Sequence, residues 1–138
     1  MAKRIIYVRN NEALIKIEGV AGTQTISLAT DLLGANEVLN GQTPTVNFAG
    51  MVWTSGPTGF ATIVRNGVTI ASAIGCGSLS PNNGFQFDNG GNTNDIVVTT
   101  TGADDMQIWI KLHKIAGYQT KIQPEQYGSY DNPNSATS

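Results

Sequence analysis

Residues 60–72 read FATIVRNGVTIAS, two runs of alternating small apolar and polar residues that meet at Asn66-Gly67. A two-residue type I′ turn needs positive φ at both central positions, and Asn followed by Gly meets that need at the least steric cost. The stretch therefore predicts a β-hairpin with Arg65 opposite Val68, Val64 opposite Thr69 and Ile63 opposite Ile70. In that register one face carries Ala61, Ile63, Val68 and Ile70, and the other Phe60, Thr62, Val64, Thr69 and Ala71. Neither face is strongly polar, which fits a sheet packed on one side and partly covered on the other.

Outward from the hairpin the same grammar repeats. RIIYVR (4–9) and EALIKIEG (12–19) read as strands parted by Asn10-Asn11, and TQTISLAT (23–30) as a third. DLLGANEVLNGQTP (31–44) is a connector with room for one helical turn at Asp31 to Leu33, since Gly34, Gly41 and Pro44 break anything longer. TVNFAGMVWT (45–54) is a central strand whose Gly50 marks a bulge or a close backbone approach, and SGPTG (55–59) turns into the hairpin. FQFD (85–88) is a short strand between loops. DIVVTTT (95–101) and MQIWIKLHKI (106–115) follow, joined by a turn at GADD in which Asp caps its own backbone. In the last run Met106, Ile108, Ile110 and Leu112 share one face and Gln107, Trp109, Lys111 and His113 the other, a strand with one buried side.

Eight or nine strands at short spacing in 138 residues make a single all-β domain, a jelly-roll-like β-sandwich. Only 13% of residues are charged and 16 are Gly, a bias toward strands and turns. The sandwich is expected over residues 1–117. From Tyr118 the alternation stops, and 118–138 read as an extended C-terminal arm: either a solvated tail or a segment that orders on a neighbouring subunit.

The net charge of −2 offers no field to attract nucleic acid or an anionic membrane, and the apolar run near the N-terminus is too short for a signal peptide or a membrane span. Cys76 is the single cysteine, so an internal disulfide is excluded. His113 is the single histidine; it sits between Lys111 and Lys114 on a polar strand face with no orienting acid beside it in sequence, which points to a surface group rather than a base. Asp88, Asn92, Asn94 and Asp95 offer oxygen ligands without the order of an EF-hand, and read as a polar loop. Adjacent Asp104 and Asp105 do not form an acid–base pair, and the glycine-rich GCGSLS and SGPTG lack the lysine and helix of a phosphate loop. No catalytic residue, metal or cofactor is expected. Trp53 reads as core and Trp109, with polar strand neighbours, as surface. Lys3, Arg4 and Arg9 form a small basic group: a solvated strand end, or a contact for an acidic protein surface.

RIIYVRNNEALIKIEG, VNFAGMVWTSGPTGFATIVRNGVTIAS and DIVVTTTGADDMQIWIKLHKIAGY together resemble small β-sandwich virion proteins of tailed bacteriophages, especially marine phages, over most of residues 3 to 118. The resemblance rests on strand and turn patterns. It implies a non-enzymatic component of the virion made in the host cytoplasm, most simply a capsid decoration (cement) protein that binds the major capsid protein as a homo-oligomer, with a trimer favoured. The expected contact residues are Lys3, Arg4, Arg9, Trp109, Tyr118, Tyr127 and Tyr130. The alternative is a carbohydrate- or receptor-binding module of a fibre or tail that uses Trp109.

Overall fold

The computed structural model describes residues 1–79, 93–102 and 104–120. The expected strand at 85–88, most of the polar loop, and Tyr127 and Tyr130 lie outside the described residues. Among those described are eleven strands: β1 (Ala2–Val8), β2 (Glu12–Gly19), β3 (Gly22–Ile26), β4 (Glu37–Leu39), β5 (Thr45–Ser55), β6 (Phe60–Arg65), β7 (Val68–Ile74), β8 (Gly77–Leu79), β9 (Ile96–Thr101), β10 (Met106–Ala116) and β11 (Tyr118–Thr120).

A five-stranded sheet has the order β1-β2-β10-β5-β8 and a four-stranded sheet the order β3-β9-β6-β7, with β4 and β11 paired as a separate ribbon. All pairings are antiparallel and nested: β2 with β10, β3 with β9, β5 with β8, β6 with β7. First-with-last nesting of eight strands across two sheets is a jelly roll. β1 adds an outer strand to β2.

The inner faces of both sheets meet in one core, where β2 and β10 contribute Ile15, Ile17, Ile108 and Ile110 against Ile63, Ile96 and Val98 of the other sheet. Strand β5 reaches this core only because it is bulged. Lys111 faces Gly50 and Leu112 faces Phe48, so Ala49 is an extra residue. The apolar phase of β5 breaks between Phe48 and Met51, and one inserted residue turns Val46, Phe48, Met51 and Trp53 all inward.

The hairpin turn forms as read, with φ of 52° at Asn66 and 74° at Gly67, but its register does not persist. After Arg65–Val68 and Val64–Thr69 the ladder slips, Ile63 faces Ala71, and Ile70 is the bulged residue. Ala71 and Ala73 therefore face the core, Ile70 packs against it only in part, and Val68 is exposed. Trp53, from the other sheet, is tied to the end of β7, where its Nε1 donates to Ile74 O (3.1 Å).

Three further features were unforeseen. The connector 31–44 contains strand β4, and the helical turn expected at Asp31 to Leu33 comes earlier, over residues 27–31 at the end of the expected third strand, where Asp31 N donates to Ser27 O (2.9 Å). The arm begins as strand β11 against it. And two cations lie inside: Arg65, 1% exposed, donates to Val46 O (2.7 Å) and Asn94 O (2.9 Å), while Lys114 faces inward rather than sharing the polar face with His113. Lys114 Nζ donates to Glu37 Oε1 (2.5 Å) and Arg9 O (2.9 Å). Buried charges persist only when paired and hydrogen-bonded, so this contact ties β10 to β4 and the β1–β2 turn.

A Cβ added at Gly67 would meet nothing within 4 Å, so a substitution there tests backbone strain alone. Gly67→Val is expected to lower stability by about 1 kcal/mol or more. Thr69→Ser, on the same exposed hairpin, should leave the thermal midpoint nearly unchanged. Equal midpoints for the two variants would contradict the turn assignment.

Candidate functional site

Because β10 is central, its pleat sets the outer face of the five-stranded sheet. Cross-strand register lays out one row as Arg4–Lys16–Trp109–Val52–Ser78 and the next as Tyr7–Leu14–Lys111–Gly50, followed by Glu12–His113–Asn47. Trp109 is thus surface-facing as read, half-buried, with Lys16 Nζ 5.0 Å from its ring centroid. Where the Ala49–Gly50 bulge leaves no large side chain, a groove of about 410 Å³ opens, lined by Leu14, Ala49, Gly50, Val52, Leu79, Trp109, Lys111 and His113 among others. Around it stand Arg4, Arg9, Lys16 and Lys111 against the carboxylates of Glu12 and Glu18, an excess of positive charge on a chain of net charge −2.

Glu12 organises one end of this face. Tyr7 Oη donates to its Oε2 (2.8 Å), and Arg9 lies 3.4 Å and Lys111 3.9 Å from its carboxylate. Arg9 also covers the Tyr7 ring at 4.2 Å. The Tyr7 hydroxyl, and then the neighbouring cations, hold the Glu12 carboxyl below its usual range. The same bond pushes the Tyr7 phenol up.

The expected contact residues are thereby separated. Arg4 and Arg9 are exposed on the outer face, and Trp109 lies in the row of Arg4, two strands away. Lys3 is not part of the group: pleating turns it the other way, and its Nζ is taken by Asp31 Oδ2 (2.6 Å) and Thr25 O (2.7 Å). Tyr118 is engaged within its own subunit, where its hydroxyl donates to Leu28 O (2.6 Å), Lys114 lies 4.3 Å from its ring centroid, and burial pushes its phenol up. His113 is exposed beside the groove and faces Glu12 and Asn47 across the ladders, neighbours invisible in sequence. Asp104 accepts from Thr58 N (2.6 Å) and Thr58 Oγ1 (2.7 Å) across the loops, rather than capping its own turn, and these bonds lower its pKa. Asp95 Oδ1 accepts from Leu28 N (2.9 Å).

The outer face of the four-stranded sheet is the opposite in character. Its rows are Ile74–Phe60–Thr101, Ser72–Thr62–Thr99–Thr23 and Thr69–Val64–Val97–Thr25. Across these four strands the only charged residue is Arg65, which points inward. Reading the sequence found this face only at the hairpin, whose outer side was expected to be partly covered by a neighbour, and not its extension over β3 and β9. Its signal was present: from Val38 to Ala103 the only charged residues are Arg65, Asp88 and Asp95.

Among the described residues no group of three or more His, Cys, Asp or Glu is placed to hold a metal ion, and no helix is long and apolar enough to cross a membrane. No family model matches the chain, and no curated protein matches it. Among solved structures it is similar to an uncharacterized conserved protein with a double-stranded beta-helix domain from Klebsiella pneumoniae, at 11% identity over 88% of this chain and 84% of that one, with a TM-score of 0.37. It is also similar to an acetyl xylan esterase, Est2A, from the rumen bacterium Butyrivibrio proteoclasticus, at 12% identity over 80% of this chain and 35% of that one, with a TM-score of 0.32. The all-β sandwich assignment rests on the strand pairings themselves.

The Tyr7–Glu12 bond has a readout. Since the folded pKa of Glu12 lies below its ordinary 4.5, its stabilising contribution is present above the ordinary value and is lost as pH falls through the folded one. In an NMR titration of the side-chain carboxyl, Tyr7→Phe should move the Glu12 midpoint up toward 4.5. An unmoved midpoint would mean that the cations, not the phenol, hold the carboxylate.

Proposed function

We propose that the chain is a structural protein of a tailed-phage virion, a decoration protein that seats on the capsid shell through the outer face of its five-stranded sheet and performs no catalysis. The observation that carries this reading is the composition of that face. A half-buried Trp109 stands beside an apolar groove that Lys111 lines, and on its β1–β2 side Arg4, Arg9 and Lys16 join Lys111 to outnumber the carboxylates of Glu12 and Glu18. An aromatic anchor with an apolar cleft is the usual energetic centre of a protein contact, and peripheral cations steer and orient an acidic partner surface. The resemblance to virion β-sandwiches supplies the identity of that partner, the major capsid protein. Weak contacts repeated over many equivalent shell sites, and multiplied by oligomerisation, suffice for stable decoration.

The groove beside Trp109 also favours a second reading, a carbohydrate- or receptor-binding module of a fibre or tail in which a sugar ring stacks on the indole. Copy number on the particle and binding to immobilised glycans separate the two.

Purified protein added to capsids that lack it should bind saturably and raise the temperature at which they rupture, because a ligand of the assembled shell stabilises it by linkage. Trp109→Ala should weaken binding about tenfold or more, as loss of a central aromatic does. Lys111→Glu should slow association and flatten its salt dependence. Binding without a gain in shell stability, or full binding by both variants, would contradict the proposal.

A further inference from the structure

We infer that the outer face of the four-stranded sheet is a self-association surface, buried against a second copy of this chain. The inference concerns a different face from the one assigned to the shell, and it stands or falls independently of that reading. Surfaces of small soluble domains are ordinarily studded with charges of both signs, and sheet edges are ordinarily guarded by lysine, proline or a covering segment. Strands β3, β6, β7 and β9 carry no lysine and no proline, their single charge is turned into the core, and among the described residues the one edge device is the bulge at Ile70 in β7. On the edge strand β7, Ile74 beside Phe60 on the outer face is 64% exposed. The charged side chains of the sandwich strands are gathered instead on the other sheet and its ends.

Burial of this face is inexpensive in polar terms. No ion has to be desolvated, and the central row is already partly satisfied within the sheet, where the Thr23 and Thr99 hydroxyls lie 3.3 Å apart and hydrogen-bond each other. Their methyl groups remain to be covered with Phe60, Val64 and Val97, together with the hydroxyls of Thr25, Thr62, Thr69 and Ser72, which are neutral and can pair with like hydroxyls. Four strands at about 4.8 Å spacing and six residues at about 3.3 Å rise give a projected face on the order of 400 Å². A stable interface buries about 800 Å² of accessible surface per partner, and a textured face with its exposed β7 rim supplies at least half of that.

Charge complementarity selects the occupant. A foreign surface of ordinary composition would bring ions that this face has nothing to pair with, and each would be desolvated without compensation. A second copy brings the same neutral rows. Like surfaces without charge meet without repulsion, which is the condition an isologous contact must satisfy.

The test is the solution mass of the full chain, whose protomer is 14.6 kDa, by size-exclusion chromatography with light scattering at tens of micromolar. The wild type should run above the protomer mass. Thr62→Lys and Thr99→Lys each place an ammonium at the centre of the face without touching the core, and each should weaken association tenfold or more while keeping a cooperative melt. Gln107→Lys, on the opposite sheet, should keep the wild-type mass and serves as the control. A monomeric wild type, or folded Thr62→Lys and Thr99→Lys proteins at the wild-type mass, overturns the inference. So does loss of mass in Gln107→Lys alone.

Discussion

The pleat of one strand divides this molecule. β10 lies between β2 and β5 and pairs with both along most of its length, so the direction of each of its side chains is fixed by two ladders at once. Met106, Ile108, Ile110 and Leu112 go inward and are 0–1% exposed. Each such side chain stabilises the fold by roughly 1.5–3 kcal/mol on full burial, an upper bound given a compact unfolded chain. Gln107, Trp109, Lys111 and His113 are thereby committed to the outside. A slip of one residue would exchange the two sets, so the same constraint that builds the core also builds the face that carries Trp109. The Ala49–Gly50 bulge keeps β5 in phase with β10, and in doing so opens the groove beside the indole.

Local signals were legible in the sequence where geometry is local. The positive φ of Asn66 and Gly67, the alternation of β10, the phase break at Gly50 and the burial of Trp53 each depend on a few adjacent residues, and each is found. What escaped depends on partners far along the chain. The slip that leaves Ile70 unpaired in the β6–β7 ladder is set by packing across the sandwich, where Ala71 and Ala73 take the core positions. Strict alternation of β10 turns Lys114 to the side of Leu112, and what sequence could not show is Glu37, 77 residues away, which receives its charge there. Strands β4 and β11 are three residues each and exist only as each other's partner. Lys3 is held by Asp31 and the Tyr118 hydroxyl by Leu28 O, partners 28 and 90 residues away in sequence. The uncharged face is a different case: the scarcity of charge after Glu37 was visible, but only the pairing of four strands turns a compositional bias into a surface.

Two outer faces of opposite chemistry point away from each other across one core. The cationic, aromatic face is suited to discrimination, since charge patterns reject wrong partners and an anchored indole holds the right one. The neutral threonine-rich face is suited to a partner of its own composition. Such a division lets one small jelly roll be joined to its own kind on one side and to a larger assembly on the other, with no need for the converging titratable groups that chemistry would require.

That division is open to one direct measurement, hydroxyl-radical footprinting of the protein dilute, concentrated and bound to shells. Phe60 reports the neutral face and Trp109 the charged one. The account predicts that Phe60 becomes protected on concentration alone while Trp109 stays reactive, and that Trp109 becomes protected only on the shell. Protection of Trp109 on concentration, or an unprotected Trp109 on occupied shells, would contradict it.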